Sequence, residues 1–228
     1  MLALVSELLK CNIEGRDGEI GKVKDIYIDN QQWTIRYVLA DTWKTLPGRR
    51  VVLSPSSFES LDLKSMLLNI NLDKGIVRES PNFTEKSVLT FETEEKLANY
   101  YGWPKYWEDV IVSETDGQLQ TPLQSNQFGK MHSLHPESEM THFRVHAADG
   151  RLGKIVDMIF DVDKWTVQSF VIKLKYQSET GLVLLSAYEI ASIEWVEGDM
   201  YVGETLEGLK GRPIYRNEKE LHEYLPNL

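Results

Sequence analysis

The chain has 228 residues, 35 acidic against 25 basic, with a formal net charge of −10 and a sequence pI near 5.1. Such a chain repels phosphate backbones, which argues against non-specific binding of nucleic acid. Its lone cysteine, Cys11, cannot form an internal disulfide, which fits a reducing cytoplasm, and no run approaches the roughly 20 apolar residues that a membrane span needs.

The opening MLALVSELLK has no basic leader region and carries Glu7 inside its apolar patch. It reads as a helical turn capped by Ser6, not as a signal peptide. Asn12 to Glu14 and the residues from Ile20 onward flank Asp17-Gly18, a turn dipeptide whose glycine can take positive φ, so a hairpin is expected there. In the next strand Val23 is in phase with Gly21 but Ile26 and Ile28 are not, which places a bulge near Lys24-Asp25. Ile35 to Ala40 is apolar on both faces, as a central strand would be. Thr42 to Arg50 is a loop by its Pro47-Gly48 pair, and Val51 to Leu53 resumes the sheet before Ser54-Pro55 ends it. Phe58 to Leu63 and Met66 to Leu72 are further strands, followed by helical pieces at Asp73 to Glu79 and Glu92 to Tyr101. Tyr100 to Trp107 then packs five aromatics into eight positions, too many for a solvated segment. From Glu108 to about Thr141 the chain turns polar and loses apolar periodicity, the signature of a linker.

Beyond that linker the pattern returns. Asp17 falls on Asp149, and the offset of 132 carries Gly18 to Gly150, Gly21 to Gly153, Asp25 to Asp157, Asp29 to Asp161 and Trp33 to Trp165. It holds without a gap through Val51/Val183 and Pro81/Pro213, so a whole small domain is repeated. The second copy accordingly predicts strands at Phe143 to Ala147, Leu152 to Asp161, Val167 to Leu174, Ile190 to Val196 and Met200 to Val202. Helical pieces are predicted at Thr205 to Lys210 and Asn217 to Leu225.

The stretches DGEIGKVKDIYID, WTIRYVLADT, GRRVVLSP and YYGWPKYW together resemble the tandem PRC-barrel family. That family includes the cytoplasmic part of the photosynthetic reaction-centre H subunit and the C-terminal domain of a ribosome maturation factor. The likeness covers nearly everything outside the linker and is closer in copy one. In copy two Ser178-Glu179-Thr180-Gly181 replaces Leu46-Pro47-Gly48-Arg49, and Ala187 stands for Pro55. The resemblance implies a mainly β chain of two tandem small antiparallel β-barrels with short C-terminal helices, at 1–107 and 142–228, joined by a polar linker at 108–141. It also implies a non-catalytic, cytoplasmic adaptor that binds protein partners, with no cofactor and with homo-oligomerisation open. An accessory or assembly factor of a photosynthetic or respiratory membrane complex, and a ribosome-associated protein, are the alternatives.

The repeated acids Asp25/Asp157 and Asp29/Asp161 suit turn and bulge chemistry better than catalysis, since no base, nucleophile or oxyanion donor is fixed beside them. His132, His135, His142 and His146 are weak metal candidates, lying mostly in the linker without a ligand motif. The aromatic run is expected to pack between the copies or on the first barrel. Trp43, Lys44, Arg49 and Arg50 combine an aromatic with cations in a loop that copy two does not keep, and they are the candidate partner-binding residues.

Overall fold

A computed structural model describes residues 1–42, 49–81, 83, 89–107, 134–175 and 181–227 and shows a mainly β protein. Copy one runs β1 (Leu2–Leu4), α1 (Val5–Leu8), β2 (Asn12–Gly15), β3 (Gly18–Asp29), β4 (Thr34–Asp41), β5 (Arg50–Leu53), a 3-10 turn (Pro55–Ser57), β6 (Phe58–Asp62), β7 (Leu67–Ile70), α2 (Lys74–Glu79) and α3 (Phe91–Tyr101). Copy two runs β8 (Leu134–Pro136), α4 (Glu137–Met140), β9 (Arg144–Ala147), β10 (Gly150–Asp161), β11 (Thr166–Leu174), β12 (Leu182–Ser186), a 3-10 turn (Ala187–Glu189), β13 (Ile190–Glu194), β14 (Asp199–Val202), α5 (Leu206–Leu209) and α6 (Glu218–Tyr224).

The offset seen in the sequence is therefore an offset in structure. It also reaches further than expected, because β8 and α4 lie inside the stretch read as linker yet are the counterparts of β1 and α1. LALVSEL and LHPESEM share Leu2/Leu134, Ser6/Ser138 and Glu7/Glu139. Histidine, proline and an extra acid had hidden the apolar pattern of the second. Ser6 is not the cap it was expected to be: Leu4 precedes the first helical residue, and its N–H is met by the Glu7 carboxylate at 3.2 Å.

The glycines explain the hairpins. Gly18 sits at φ 113° in the Asp17-Gly18 turn, whereas Gly150 keeps an ordinary φ. A Cβ on Gly21 would stand 2.1 Å from the Asp41 carbonyl oxygen, and one on Gly153 would stand 2.2 Å from that of Lys173. No side chain fits there, and both ladders shift register at these glycines. A second shift between Ile155 and Asp157 puts the bulge at Val156, the counterpart of Lys24, as the change of apolar phase requires. Past it the alternation gives way to continuous burial, Asp25 to Ile28 in β3 and Asp157 to Phe160 in β10.

The chain divides into two compact units. Unit 1 holds Met1–Cys11, Asp25–Arg36 and His135–Leu228; unit 2 holds Asn12–Lys24 and Tyr37–Leu134. Within unit 1 the strand order is β13-β14-β9-β10-β11, with β1 added to β10 and β12 to β11. Within unit 2 it is β4-β3-β2-β7-β6, with β5 added to β4. The β9–β14 and β2–β7 pairs are parallel, and no ladder joins the two ends of either unit among the described residues.

Unit 1 also contains a two-fold exchange between the copies. Ile35 N–H donates to the Trp165 carbonyl and Val167 N–H to the Trp33 carbonyl, each at 2.7 Å, with Thr34 opposite Thr166 between them. Trp33 and Trp165 close the two turns at φ 53° and 55°, a left-handed conformation unfavourable to a bulky side chain. Indole packing offsets it: Trp33 is buried edge-on to Phe170 at 4.9 Å, while half-buried Trp165 lies 5.6 Å from Phe160. Elsewhere in unit 1, Leu4, Ile159, Val171, Leu182, Tyr215, Leu221 and Leu225 form one apolar cluster that seats α6. Trp33→Ala is expected to cost about 3–5 kcal/mol in denaturant unfolding and Trp165→Ala clearly less, following their burial. Equal losses, or none, would show that the indoles do not hold the turns.

Candidate functional site

Asp25 and Asp157 lie at the point where β3 and β10 leave their bulges, both buried. Each accepts the N–H of the following residue, Ile26 or Met158, at 2.8 Å. Each then accepts from a serine of the other copy: Ser138 donates its N–H at 3.3 Å and its hydroxyl at 2.5 Å to Asp25, and Ser6 donates its N–H at 3.1 Å to Asp157. Burial pushes the Asp157 carboxyl up, with Ser6 and the Met158 N–H acting against it. Copy two adds a third buried carboxyl, Glu137, where copy one has Val5. Burial also raises Glu137; a hydrogen bond from the Thr141 hydroxyl opposes this, and the charges of Asp25 and Asp157 reinforce it.

Unit 1 has a groove of about 620 Å³ between the turn Asn30–Trp33 and the β13 side of copy two. Arg36 stiffens the turn by donating to Asp29 at 2.9 Å and to the Gln32 side-chain carbonyl at 2.7 Å. The opposite wall is Ala187, Tyr188, β13 and Trp195. Among the described residues β13 has a ladder partner only in β14, so its other edge faces this groove as unpaired strand. Tyr188 is 88% exposed and Val196, just past Trp195, 98%. Trp195 is braced from behind by His135, whose ring stacks on it at 3.2 Å, and by Phe143 at 5.7 Å.

A second polar arrangement belongs to copy two alone. Arg144 clasps Asp199 through Nε and Nη2, both at 2.6 Å; His146 Nε2 reaches the same carboxylate at 2.8 Å, and its ring stacks on Tyr201. The hydrogen bond from Arg144 is the largest cause holding Asp199 down at about 2. Copy one has Asn12, Glu14, Leu67 and Asn69 at these places, so the fold does not require the cluster.

The residues singled out in the sequence are distributed otherwise than expected. Trp43, Lys44 and His132 lie outside the described residues. Arg49 donates its guanidinium to the main-chain carbonyls of Arg78 and Ser80 in unit 2, closing the C-terminal end of α2. Arg50 pairs with Asp41 in the ladder and bridges Phe83. Asp17 and Asp149 accept the N–H groups of Lys74 and Leu206, at 2.8 and 2.7 Å, and so fix the start of α2 and α5. Asp29 and Asp161 accept from Gln31 and Asp163 two residues on, each at 2.9 Å. His135, His142 and His146 serve three separate surroundings, and no group of three or more His, Cys, Asp or Glu is arranged to hold a metal among the described residues.

The aromatic run is internal to unit 2. Trp103 donates its indole N–H to the Ser57 hydroxyl at 2.6 Å and stacks on Tyr101 at 4.2 Å, Tyr106 donates to Glu94 at 2.9 Å, and Trp107 packs on Phe91. Burial pushes the Tyr101 phenol up to about 12. Sequence reasoning missed the groove, because its turn and its strand lie over 150 residues apart in the chain. The signals available were two large apolar residues, Tyr188 just before the predicted strand Ile190 to Val196 and Val196 at its end. No known family model matches the chain, and no curated protein matches it.

A carboxyl raised by burial favours the folded state while protonated and opposes it once ionised. Stability linked to Glu137 is therefore fully present below its unfolded value near 4.5 and falls as pH rises through its higher folded value. Glu137→Val, which installs the copy-one residue, should raise the melting temperature at pH 8 by about 2–4 °C, a gain of about 1 kcal/mol. At pH 4 the gain should disappear. A gain independent of pH would mean that apolar packing, not ionisation, separates the two residues.

Proposed function

We propose that this protein is a non-catalytic adaptor, built of two PRC-barrel-like repeats and working in the cytoplasm, that binds protein partners through the groove beside β13. The observation that carries the reading is the edge of β13 left unpaired among the described residues, bordering a 620 Å³ groove with Tyr188 exposed on its wall. An open strand edge offers alternating N–H and C=O groups to an incoming extended segment, which adds to the sheet as a further strand. Trp195 and Tyr188 supply apolar area to such a segment, and the amides of Asn30, Gln31 and Gln32 line the opposite side. Among the described residues neither a cation nor an acid lines the groove, so the segment it suits is uncharged and extended. The resemblance of both copies to PRC-barrel repeats, whose known use is as an adaptor surface, agrees with this.

Peptides selected from a displayed library on the full chain provide the test. Binding should protect β13 amides from hydrogen exchange, and the pair Tyr188→Ala with Ser192→Lys should weaken it at least about tenfold, equivalent to 1.4 kcal/mol, with little change in melting. Selected peptides that bind the double variant as well as the parent would overturn the assignment.

A further inference from the structure

The two copies treat one corresponding place differently. In unit 2 the space over the C-terminal end of α2 is filled from within: Arg49 reaches the carbonyls of Arg78 and Ser80, the Tyr101 hydroxyl lies beside Ser80 and Arg49, and the Tyr100 hydroxyl donates to the Ile76 carbonyl at 2.8 Å. The offset of 132 carries Arg49 to Gly181, Ile76 to Gly208, Arg78 to Lys210 and Ser80 to Arg212. Gly181 has no side chain to send inward, and a Cβ there would stand 2.5 Å from Ile214 Cγ2. Unit 1 has at this place a cavity of about 190 Å³ walled by Leu152, Leu174, Val183, Leu185, Leu206 and Leu209.

The charges at its rim are answered locally. Lys210 pairs with Glu207 at 2.5 Å, and Arg212 with Glu204 at 2.9 Å and with Glu189. What is left is a space whose walls are chiefly leucine, with the two paired cations at its rim. An apolar cavity of about 150 Å³ accommodates a benzene ring, so a phenol fits this one.

We propose that this cavity is a second binding pocket, separate from the β13 groove, for a peptide-borne aromatic ring: the tyrosine side chain of a partner protein. Copy one supplies the template, since there the chain's own Tyr100-Tyr101-Gly102-Trp103 segment brings the Tyr101 phenol beside Ser80, the counterpart of Arg212 on the wall of this cavity. The ring lies among the leucines, and its hydroxyl bonds to the rim main chain in the way that the hydroxyl of Tyr100, the exposed neighbour of Tyr101, bonds to the Ile76 carbonyl.

The full chain is titrated with p-cresol and, separately, with the blocked tetrapeptide acetyl-Tyr-Tyr-Gly-Trp-amide, following leucine and valine methyl shifts by NMR. Saturable shifts confined to Leu152, Val183, Leu185 and their neighbours are expected, with the peptide at least about tenfold tighter than p-cresol. Leu174→Trp, at the half-buried end of β11, and Leu209→Phe, on α5, each fill the cavity and should abolish the shifts; whichever of the two melts as the parent does decides the point. Tyr188→Ala should leave the titration unchanged, which separates this pocket from the groove. Absence of saturation with both probes, a peptide no tighter than p-cresol, or unaltered binding by a folded filling variant would each overturn the proposal.

Discussion

Two buried aspartates set the conditions under which unit 1 is assembled. A carboxylate removed from water is costly unless hydrogen-bonded, and the bulge beside Asp25 and Asp157 provides only one local donor, the N–H of the next residue. The remaining acceptor sites are met by Ser138 and Ser6, each on a helical turn of the opposite copy. The position of α1 on β10, and of α4 beside β3, follows from that requirement. Separation of either turn would strand a buried carboxyl as well as apolar side chains such as Leu4 and Val5.

The same exchange explains why the hairpin turns carry tryptophan at a positive φ. Each turn must present a main-chain carbonyl to the first strand residues of the other copy, and the left-handed residue before Thr34 or Thr166 turns that carbonyl outward. Glycine would adopt the conformation more easily but would leave nothing to pack on Phe170 or Phe160. The groove beside β13 uses this arrangement, since one of its walls is the turn that the exchange fixes.

Duplication has also left the copies free to diverge where the fold makes no demand. Copy two replaces a valine by buried Glu137, adds the Arg144–Asp199–His146 cluster, and has glycine where copy one fills its own pocket with Arg49. Conversely, copy one spends its aromatic run on its own packing, with Trp103 anchored to Ser57. At the place of Ser57 copy two has Glu189, held by Arg212. An indole bonded to a hydroxyl in one copy thus corresponds to an ion pair in the other.

The repeat, the β content, the bulges and most strands were legible in the sequence, because each is written in short range: Asp-Gly turns, a change of apolar phase at Lys24 and Val156, and glycines where a backbone passes within 2.2 Å of a would-be Cβ. The helical pieces beginning at Thr205 and Asn217 were equally local, and both residues turn out to cap their helices. What only the tertiary structure decided is where long-range partners lie. Ser6 read as a helix cap and proved to be a ligand of Asp157, and a segment that read as polar linker became β8 and α4, with Ser138 bonded to Asp25 and His135 stacked on Trp195. Arg49 looked like a free surface cation until its carbonyl acceptors at Arg78 and Ser80, about 30 residues on, came into reach. A sequence fixes local backbone preferences over a few residues; the partner that satisfies a buried charge or fills a cavity is chosen by the fold, and its distance along the chain carries no signal.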